Sequence, residues 1–97
     1  MRYGIELAPQ AIRDLKRLDA NRRAQVKDAM ETHLRHEPRK TSKSRIKRLR
    51  GLSKPQYRLR VGDVRVFYDV SERTVGVLAI VAKEDAQEWL VKEGEPS

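Results

Sequence analysis

The chain is 97 residues long, 38% hydrophobic and 37% charged, with a net charge of +8 and no cysteine. This length suits a single domain over residues 1–97 with one modest core. The lack of cysteine excludes disulfides and thiolate metal sites. No apolar run is long enough for a signal peptide or a membrane span, so we expect a cytoplasmic protein with no membrane partner.

Positive charge is concentrated in the middle of the chain. The segment 35–65 contains twelve of the 22 Lys and Arg residues but two of the 14 acidic residues. Within it, the connector 39–50 has seven basic residues and no acid. Such clustering indicates a polyanionic partner, for example a nucleic acid. The candidate RNA- or ribosome-binding residues of the connector are Arg39, Lys40, Lys43, Arg45, Lys47, Arg48 and Arg50.

The predicted elements begin with a short strand over residues 2–7, because polar and apolar residues alternate there. One face of this strand would hold Tyr3, Ile5 and Leu7. Pro9 suits the first turn of an amphipathic helix. Asp19 or Asn21 can cap a second amphipathic helix over about 22–36. The two helices together indicate an α-hairpin laid on an apolar surface.

The second half of the chain is typical of a meander of strands. The connector would be anchored to the core by Ile46, Leu49 and Leu52. A hairpin follows over 56–70, and the run 74–82 is apolar at nearly every position, which predicts a central strand. Trp89 anchors a short last helix. The predicted order is β-α-α-β-β-β-α, an α+β fold with two helices on a four-stranded, largely antiparallel sheet.

The hairpin has a two-residue loop at Gly62 and Asp63, since glycine in the first loop position allows a type II′ turn. This register sorts the side chains. The core face holds Tyr57, Leu59, Val61, Val64, Val66 and Tyr68, and the other face holds Arg58, Arg60, Arg65 and Phe67. Arg60 lies opposite Arg65, and this pair should repel by a few tenths to about 1 kcal/mol.

Two interpretations of the arginine face remain open. In the first, the arginines pair with the acidic residues Glu84, Asp85 and Glu88. In the second, they bind a polyphosphate, which the adjoining basic connector favours. Phe67 would then stack a nucleobase beside them; alternatively, the C-terminal segment covers its ring.

The candidate chemistry is RNA cleavage without a metal or other cofactor. His33 and His36 have helical ligand spacing but lack partners, so we predict no metal site. RNA supplies its own nucleophile, the 2′-hydroxyl, and arginines can orient it and stabilise the charge on the phosphorane. Lys83 and Glu84, just after the central strand, are the candidates for proton transfer.

With these features, the chain resembles the RelE/ParE superfamily of toxins from type II toxin–antitoxin pairs. The resemblance extends over nearly the full length. It rests on the strand-helix-helix opening, the "LRG" at 49–51, the "QYRLRVGDVRVFYDV" hairpin and the "VLAIVAKED" strand-to-helix step. It implies a compact α+β fold and neutralisation by a cognate antitoxin. RelE-like members cut mRNA in the ribosomal A site, next to rRNA, whereas ParE-like members inhibit DNA gyrase.

The resemblance also assigns roles to individual residues. Arg58 and Arg60 match the two basic residues of RelE-like enzymes that follow the tyrosine of the hairpin's first strand, and Arg65 matches the arginine that stabilises the transition state. Lys83 matches a basic position after the last strand, but Glu84 replaces the arginine expected next. Leu90 stands where a tyrosine is expected. We therefore expect an mRNA endoribonuclease, with a gyrase inhibitor and a catalytically weak RNA- or partner-binding protein as alternatives.

Overall fold

Strands form the centre of the molecule in the computed structural model, which describes residues 2–97. The strands are β1 (Gly4–Leu7), β2 (Ile46–Arg48), β3 (Leu52–Lys54), β4 (Tyr57–Val61), β5 (Val64–Val70), β6 (Thr74–Ala82) and β7 (Glu95–Pro96). Five of them make one sheet in the order β1-β6-β5-β4-β2, and β3 and β7 form a separate two-stranded ribbon. β1 pairs with β6 in parallel, and all other pairs are antiparallel. The expected α+β class and largely antiparallel sheet are confirmed.

Helices join and cover these strands. They are α1 (Pro9–Arg17), α2 (Ala20–Ala29), which continues into a π-helical turn (Met30–Leu34), and α3 (Ala86–Glu93), which follows a 3-10 turn (Lys83–Asp85). Asp19 is the N-cap of α2, because its Oδ1 accepts a hydrogen bond of 2.8 Å from the backbone N–H of Arg22. The second helix therefore begins two residues before the expected start at residue 22.

The core lies between α1, α2 and one face of the sheet. Ala11 and Leu15 of α1 and Val26 of α2 are buried against the strands. From the hairpin, the same core receives Tyr57, Leu59, Val64, Val66 and Tyr68, with Val61 packed at its edge. The rings of Tyr57 and Tyr68 stack with their centroids 5.4 Å apart. The predicted core face of the hairpin is thus confirmed.

The number of strands differs from the expected four. Part of the connector forms β2, where Ile46 is buried opposite Leu59 on the core side of the sheet. Ile46 therefore anchors the connector as expected, and the strand pairing adds an edge to the sheet. Leu49 and Leu52 are half-buried. The ribbon was not anticipated either, since β3 and β7 are only three and two residues long.

The hairpin turn adopts the expected form. Gly62 has φ +59°, and no residue other than glycine has a positive φ in the described part of the chain. This combination fits a type II′ turn and excludes type I′, which needs two positive φ values. The turn is held from two sides. The backbone N–H of Lys83 donates to the carbonyl of Asp63 at 2.8 Å, and Arg22 of α2 forms a bidentate ion pair with the Asp63 carboxylate.

Candidate nucleic-acid interface

Arginines gather on the face of the hairpin that points away from α1 and α2. β4 and β5 pair as predicted, with Arg58 opposite Phe67 and Arg60 opposite Arg65. Residues directly opposite in an antiparallel pair share a face. The structure therefore brings the three arginines predicted to be catalytic onto one surface.

The edge strand adds two cations that the sequence did not place there. Lys47 of β2 pairs with Arg58, and the carbonyl of Arg45 accepts a 2.8 Å hydrogen bond from the backbone N–H of Arg60. Both residues are exposed beside the hairpin arginines. We call this surface the basic face and define it by Arg45, Lys47, Arg58, Arg60 and Arg65. Sequence reasoning missed this grouping because no turn residues fix the register of β2 against β4.

The basic face lacks ion-pair partners among the described residues. Within residues 2–97, none of its five cations lies at ion-pairing distance from a carboxylate. Glu88 instead pairs with Lys92 at 3.4 Å, and Glu84 and Asp85 form no ion pair in that range. The interpretation in which these acids pair with the arginines is therefore wrong. Uncompensated like charges on one surface favour binding of an anion.

The cations of the basic face act on one another. Burial, and then the positive charges of Arg65 and Arg60, lower the pKa of Arg58. Burial, and then the charge of Arg60, lower the pKa of Arg65, while Asp63 opposes this effect. The Nε of Arg58 is buried and has no hydrogen-bond partner among the described residues. A bound anion would relieve the mutual repulsion of these cations.

Arg65 is more deeply placed than its neighbours, with 7% of its surface exposed. Its Nη1 donates to the carbonyl of Gly62 at 2.8 Å and to that of Val64 at 3.0 Å. A guanidinium has five N–H donors in a fixed plane, so the remaining ones are available to a ligand. Arg65 therefore braces the hairpin turn while it contributes charge to the basic face.

Phe67 is fully buried, which contradicts its expected role as a platform for a nucleobase. Its ring stacks on Trp89 of α3, with centroids 5.0 Å apart and planes 6° from parallel. The alternative stated from the sequence, in which the C-terminal segment covers Phe67, is confirmed, as is the anchoring role of Trp89. The Nε1 of Trp89 is buried without a partner in residues 2–97.

The proton-transfer candidates lie at the turn end of the basic face. Lys83 and Glu84 are exposed in the 3-10 turn after β6, and Lys83 is tied to Asp63 through its backbone. Tyr68, by contrast, is buried, and its hydroxyl donates to the carbonyl of Pro38 at 2.8 Å. Burial, and then the electrostatic effect of the neighbouring Tyr57, raise the pKa of Tyr68. The Tyr68 hydroxyl is thus a structural group.

The seven cations of the connector are all exposed, but they do not form one surface. Arg45 and Lys47 belong to the basic face. Arg39 donates to the Tyr3 hydroxyl at 3.1 Å, on the far side of the connector. Arg48 lies over the ring of Tyr57, 5.1 Å from its centroid. The others are Lys40, Lys43 and Arg50. Of these, Lys40 has its Nζ 3.7 Å from a carboxylate oxygen of Glu37.

Neither a metal cluster nor a membrane helix is found in the part of the chain that the structure describes. No group of three or more His, Asp or Glu side chains there could hold a metal ion. No helix over residues 2–97 is long and apolar enough to cross a bilayer.

Comparison with known proteins gives one family and one fold. The family model for the ParE toxin of type II toxin–antitoxin systems (parDE) matches residues 5–86. No curated protein sequence matches the chain significantly.

Several solved toxin structures are similar to the chain. RelE in the archaeal RelE–RelB complex from Pyrococcus horikoshii has a TM-score of 0.70 and 24% identity, over 86% of this chain and 97% of that one. A chain of the toxin–antitoxin complex RelBE2 from Mycobacterium tuberculosis has a TM-score of 0.68 and 25% identity, over 84% of this chain and 99% of that one. A mutant of the Escherichia coli toxin RelE in the free state gives 0.72 and 22%, over 92% of each chain.

Proposed function

This chain belongs to the ParE toxin family of type II toxin–antitoxin systems, within the RelE/ParE superfamily, and we propose that it is a ribosome-dependent mRNA endoribonuclease that works without a metal ion. The observation that carries the proposal is the basic face, on which five cations converge without a carboxylate partner among residues 2–97. Such a surface suits an RNA backbone, whose phosphates would relieve the repulsion between the cations.

The proposed reaction uses the RNA as its own nucleophile. The 2′-oxygen attacks the adjacent phosphorus, the bond from phosphorus to the 5′-oxygen breaks, and a 2′,3′-cyclic phosphate forms. Arg58 and Arg60 hold the phosphates on either side of the bond, and Arg65 stabilises the charge that develops on the phosphorane. Glu84 takes the proton of the 2′-hydroxyl, and Lys83 gives a proton to the departing 5′-oxygen.

The partners follow from this reaction. mRNA in the ribosomal A site is the substrate, and rRNA contacts the connector cations, so the activity belongs in the cytoplasm. A cognate antitoxin neutralises the protein, as the similar RelE chains in RelB complexes suggest. The cations that this model assigns to rRNA are Arg39, Lys40, Lys43, Arg45, Lys47, Arg48 and Arg50.

The test is to induce the chain in bacteria and to map mRNA 5′ ends on and off ribosomes. We expect new 5′ ends that require translation, and we expect Arg60→Ala to slow their appearance by about 10²-fold, as misplacement of the reacting phosphate does. Arg13→Ala is the matched control, because Arg13 is an exposed arginine of α1 away from the basic face. Intact mRNA during growth arrest would refute the endoribonuclease.

The second candidate is a gyrase inhibitor. The match to the ParE family model favours it, and so does the exposed carboxylate of Glu84 at a position where RelE-like enzymes carry an arginine. This candidate predicts stabilised gyrase–DNA cleavage complexes and intact mRNA in the same cells. If neither readout changes while purified protein still binds RNA in a salt-dependent manner, the chain is a binding protein without catalytic activity.

A further inference from the structure

A small polar cavity lies on the other side of the edge strand from the hairpin arginines. It has a volume of about 230 Å³ and is formed by the π-helical turn after α2 and the connector before β2. Pockets for drug-sized ligands are usually larger, at about 300–1,000 Å³. The hydrogen-bonding residues that line the cavity are Thr32, His33, Glu37, Lys40, Thr41, Ser42 and Arg45.

The wall of this cavity is organised by Ser42. The Ser42 backbone N–H donates to the carbonyl of Ile46 at 3.0 Å, and its Oγ accepts from the backbone N–H groups of Arg45 at 2.9 Å and Ile46 at 3.3 Å. With these two N–H groups at its oxygen, the hydroxyl still has its own hydrogen to donate. The connector therefore presents a preformed hydroxyl donor next to the Arg45 side chain.

The charges around the cavity favour an anion. Lys40 and Glu37 face each other at 3.7 Å and offset one another, whereas Arg45 has no carboxylate at ion-pairing distance within residues 2–97. Burial, and then the charge of Arg45, lower the pKa of His33, while Asp28 on the same helix opposes this effect. The lowered pKa favours the neutral imidazole, which offers one N–H donor.

Arg45 connects this cavity to the basic face. A second cavity of about 230 Å³ is lined by Ser44, Arg45, Arg60 and Gly62. Arg45 is the residue that the two cavities share. The two cavities therefore meet at Arg45, with Arg60 and Ser44 on one side and Ser42 and His33 on the other.

We propose that the cavity lined by His33, Ser42 and Arg45 binds a phosphate group, and that it receives a backbone phosphate of an RNA strand whose neighbouring nucleotides lie on the basic face. The assignment of this phosphate to an RNA strand rests on the proposed function. The anion site itself does not depend on that function. The strand would then leave the hairpin by bending around β2 at Arg45.

The two histidines give a direct test on the isolated protein. His33 lines the cavity, whereas His36 is exposed one turn further along and does not line it, so it serves as an internal control. Sulfate is the probe, because its charge stays constant from pH 5 to pH 8. We expect saturating sulfate to raise the NMR titration midpoint of His33 by about 1 unit, as an adjacent opposite charge does, and to move that of His36 far less. An unchanged His33, or equal shifts of both, would overturn the site.

Two substitutions that each remove one positive charge, one inside the cavity and one outside it, test where sulfate binds. We expect Arg45→Gln to weaken sulfate binding roughly tenfold, as for loss of a charge-assisted hydrogen bond. Lys43→Gln removes the same charge from the same connector, but Lys43 lines neither cavity, so it should change the affinity less than about twofold. Equal losses in the two variants would show diffuse attraction instead of a site.

A binding experiment with RNA distinguishes an RNA phosphate from a free anion as the ligand of the cavity. Arg45→Gln should also weaken binding of a short single-stranded oligoribonucleotide, and the RNA should shift His33 as sulfate does. If sulfate binds as expected and the RNA leaves His33 unmoved, the site is for a free anion and the proposed strand path is wrong. Because both readouts use purified protein, failure of mRNA cleavage in cells would not be confused with failure of the site.

Discussion

Arg65 has structural hydrogen bonds and a proposed chemical role in one side chain. Its guanidinium holds two carbonyls of the hairpin turn, and it also carries part of the charge that faces Arg60. The resemblance to RelE-like enzymes assigns this arginine to the transition state. If the proposed role is correct, a substitution of Arg65 changes both folding and chemistry, and a loss of activity alone would not separate the two.

The comparison of two neighbouring arginines separates stability from activity. Arg65→Ala leaves the carbonyls of Gly62 and Val64 without their donor, so we expect the free energy of unfolding to fall by about 1–3 kcal/mol. Arg60→Ala removes an exposed charge that repels Arg65, so stability should stay unchanged or rise slightly. Urea unfolding measures both, and equal destabilisation by the two variants would contradict the bracing role of Arg65.

The burial of Tyr68 lowers the free energy of unfolding at alkaline pH. An unfolded tyrosine titrates near pH 10, whereas burial holds the pKa of Tyr68 in the folded protein above that. As pH rises past about 10, the unfolded state loses a proton that the folded state keeps, so the free energy of unfolding falls.

Tyr68→Phe is the control for this slope. It removes the group that titrates, so the decline of stability above about pH 10 should become shallower than in the unaltered protein. It also leaves the buried Pro38 carbonyl unpaired, which should lower stability at neutral pH by about 1–3 kcal/mol. Denaturant unfolding at a series of pH values shows both effects, and parallel curves for the two proteins would contradict this account.

Among the elements, α3 is fixed in its middle and at its C-terminal end. Trp89 stacks on Phe67 in its middle, and after its last residue the chain enters β7, which pairs with β3. Gly94 lies at this junction. A Cβ at Gly94 would be 2.5 Å from the carbonyl oxygen of Leu90 and 3.1 Å from Leu52 Cδ2. The last turn of α3 and the ribbon together therefore leave no room for a side chain at this position.

Two glycine substitutions test the junction. Gly94→Ala should lower the free energy of unfolding by about 1–3 kcal/mol, as overpacking does, and should speed amide hydrogen exchange in β3. A Cβ at Gly76 in β6 would meet nothing within 4 Å, so Gly76→Ala should be tolerated. If Gly94→Ala leaves exchange in β3 unchanged, the ribbon does not depend on that close packing.

Strong local patterns predicted the elements that they specify. The glycine of the turn and the alternation of side chains gave the register of β4 and β5, and the apolar run predicted β6 with its bounds. β2 could not be predicted because Lys47 and Arg48 look like surface residues, and only the pairing of Ile46 with Leu59 makes them a strand. Phe67 was placed on the correct face, but the sequence left open whether a nucleobase or the C-terminal segment covers its ring, since the cover comes from a helix distant in the chain.

At the scale of the whole molecule, the cations of the basic face contribute together to the binding of a polyanion. A single RNA strand that contacts Z cations should bind with a slope of log affinity against log salt of about −0.7 Z. The five cations of the basic face therefore set a limit of about −3.5 for that surface.

The salt slope is measured by titrating an oligoribonucleotide at several salt concentrations. Arg60→Ala should make the slope shallower by about 0.7, because one phosphate contact is lost. Arg13→Ala removes an equal charge from exposed α1 and should leave the slope within error of the original. Identical slopes in all three proteins would mean that RNA binds elsewhere on the surface.

The crowding of like charges on the basic face ties the lifetime of the protein to its occupancy. The repulsion on an empty face is uncompensated, and a polyanion that covers the face, whether RNA or an acidic peptide, stabilises the protein as far as it binds the folded chain more tightly than the unfolded one. The free protein should consequently be the form that proteases degrade fastest, and the occupied protein should persist. Abundance in the cell would then follow the supply of partners as much as the rate of synthesis.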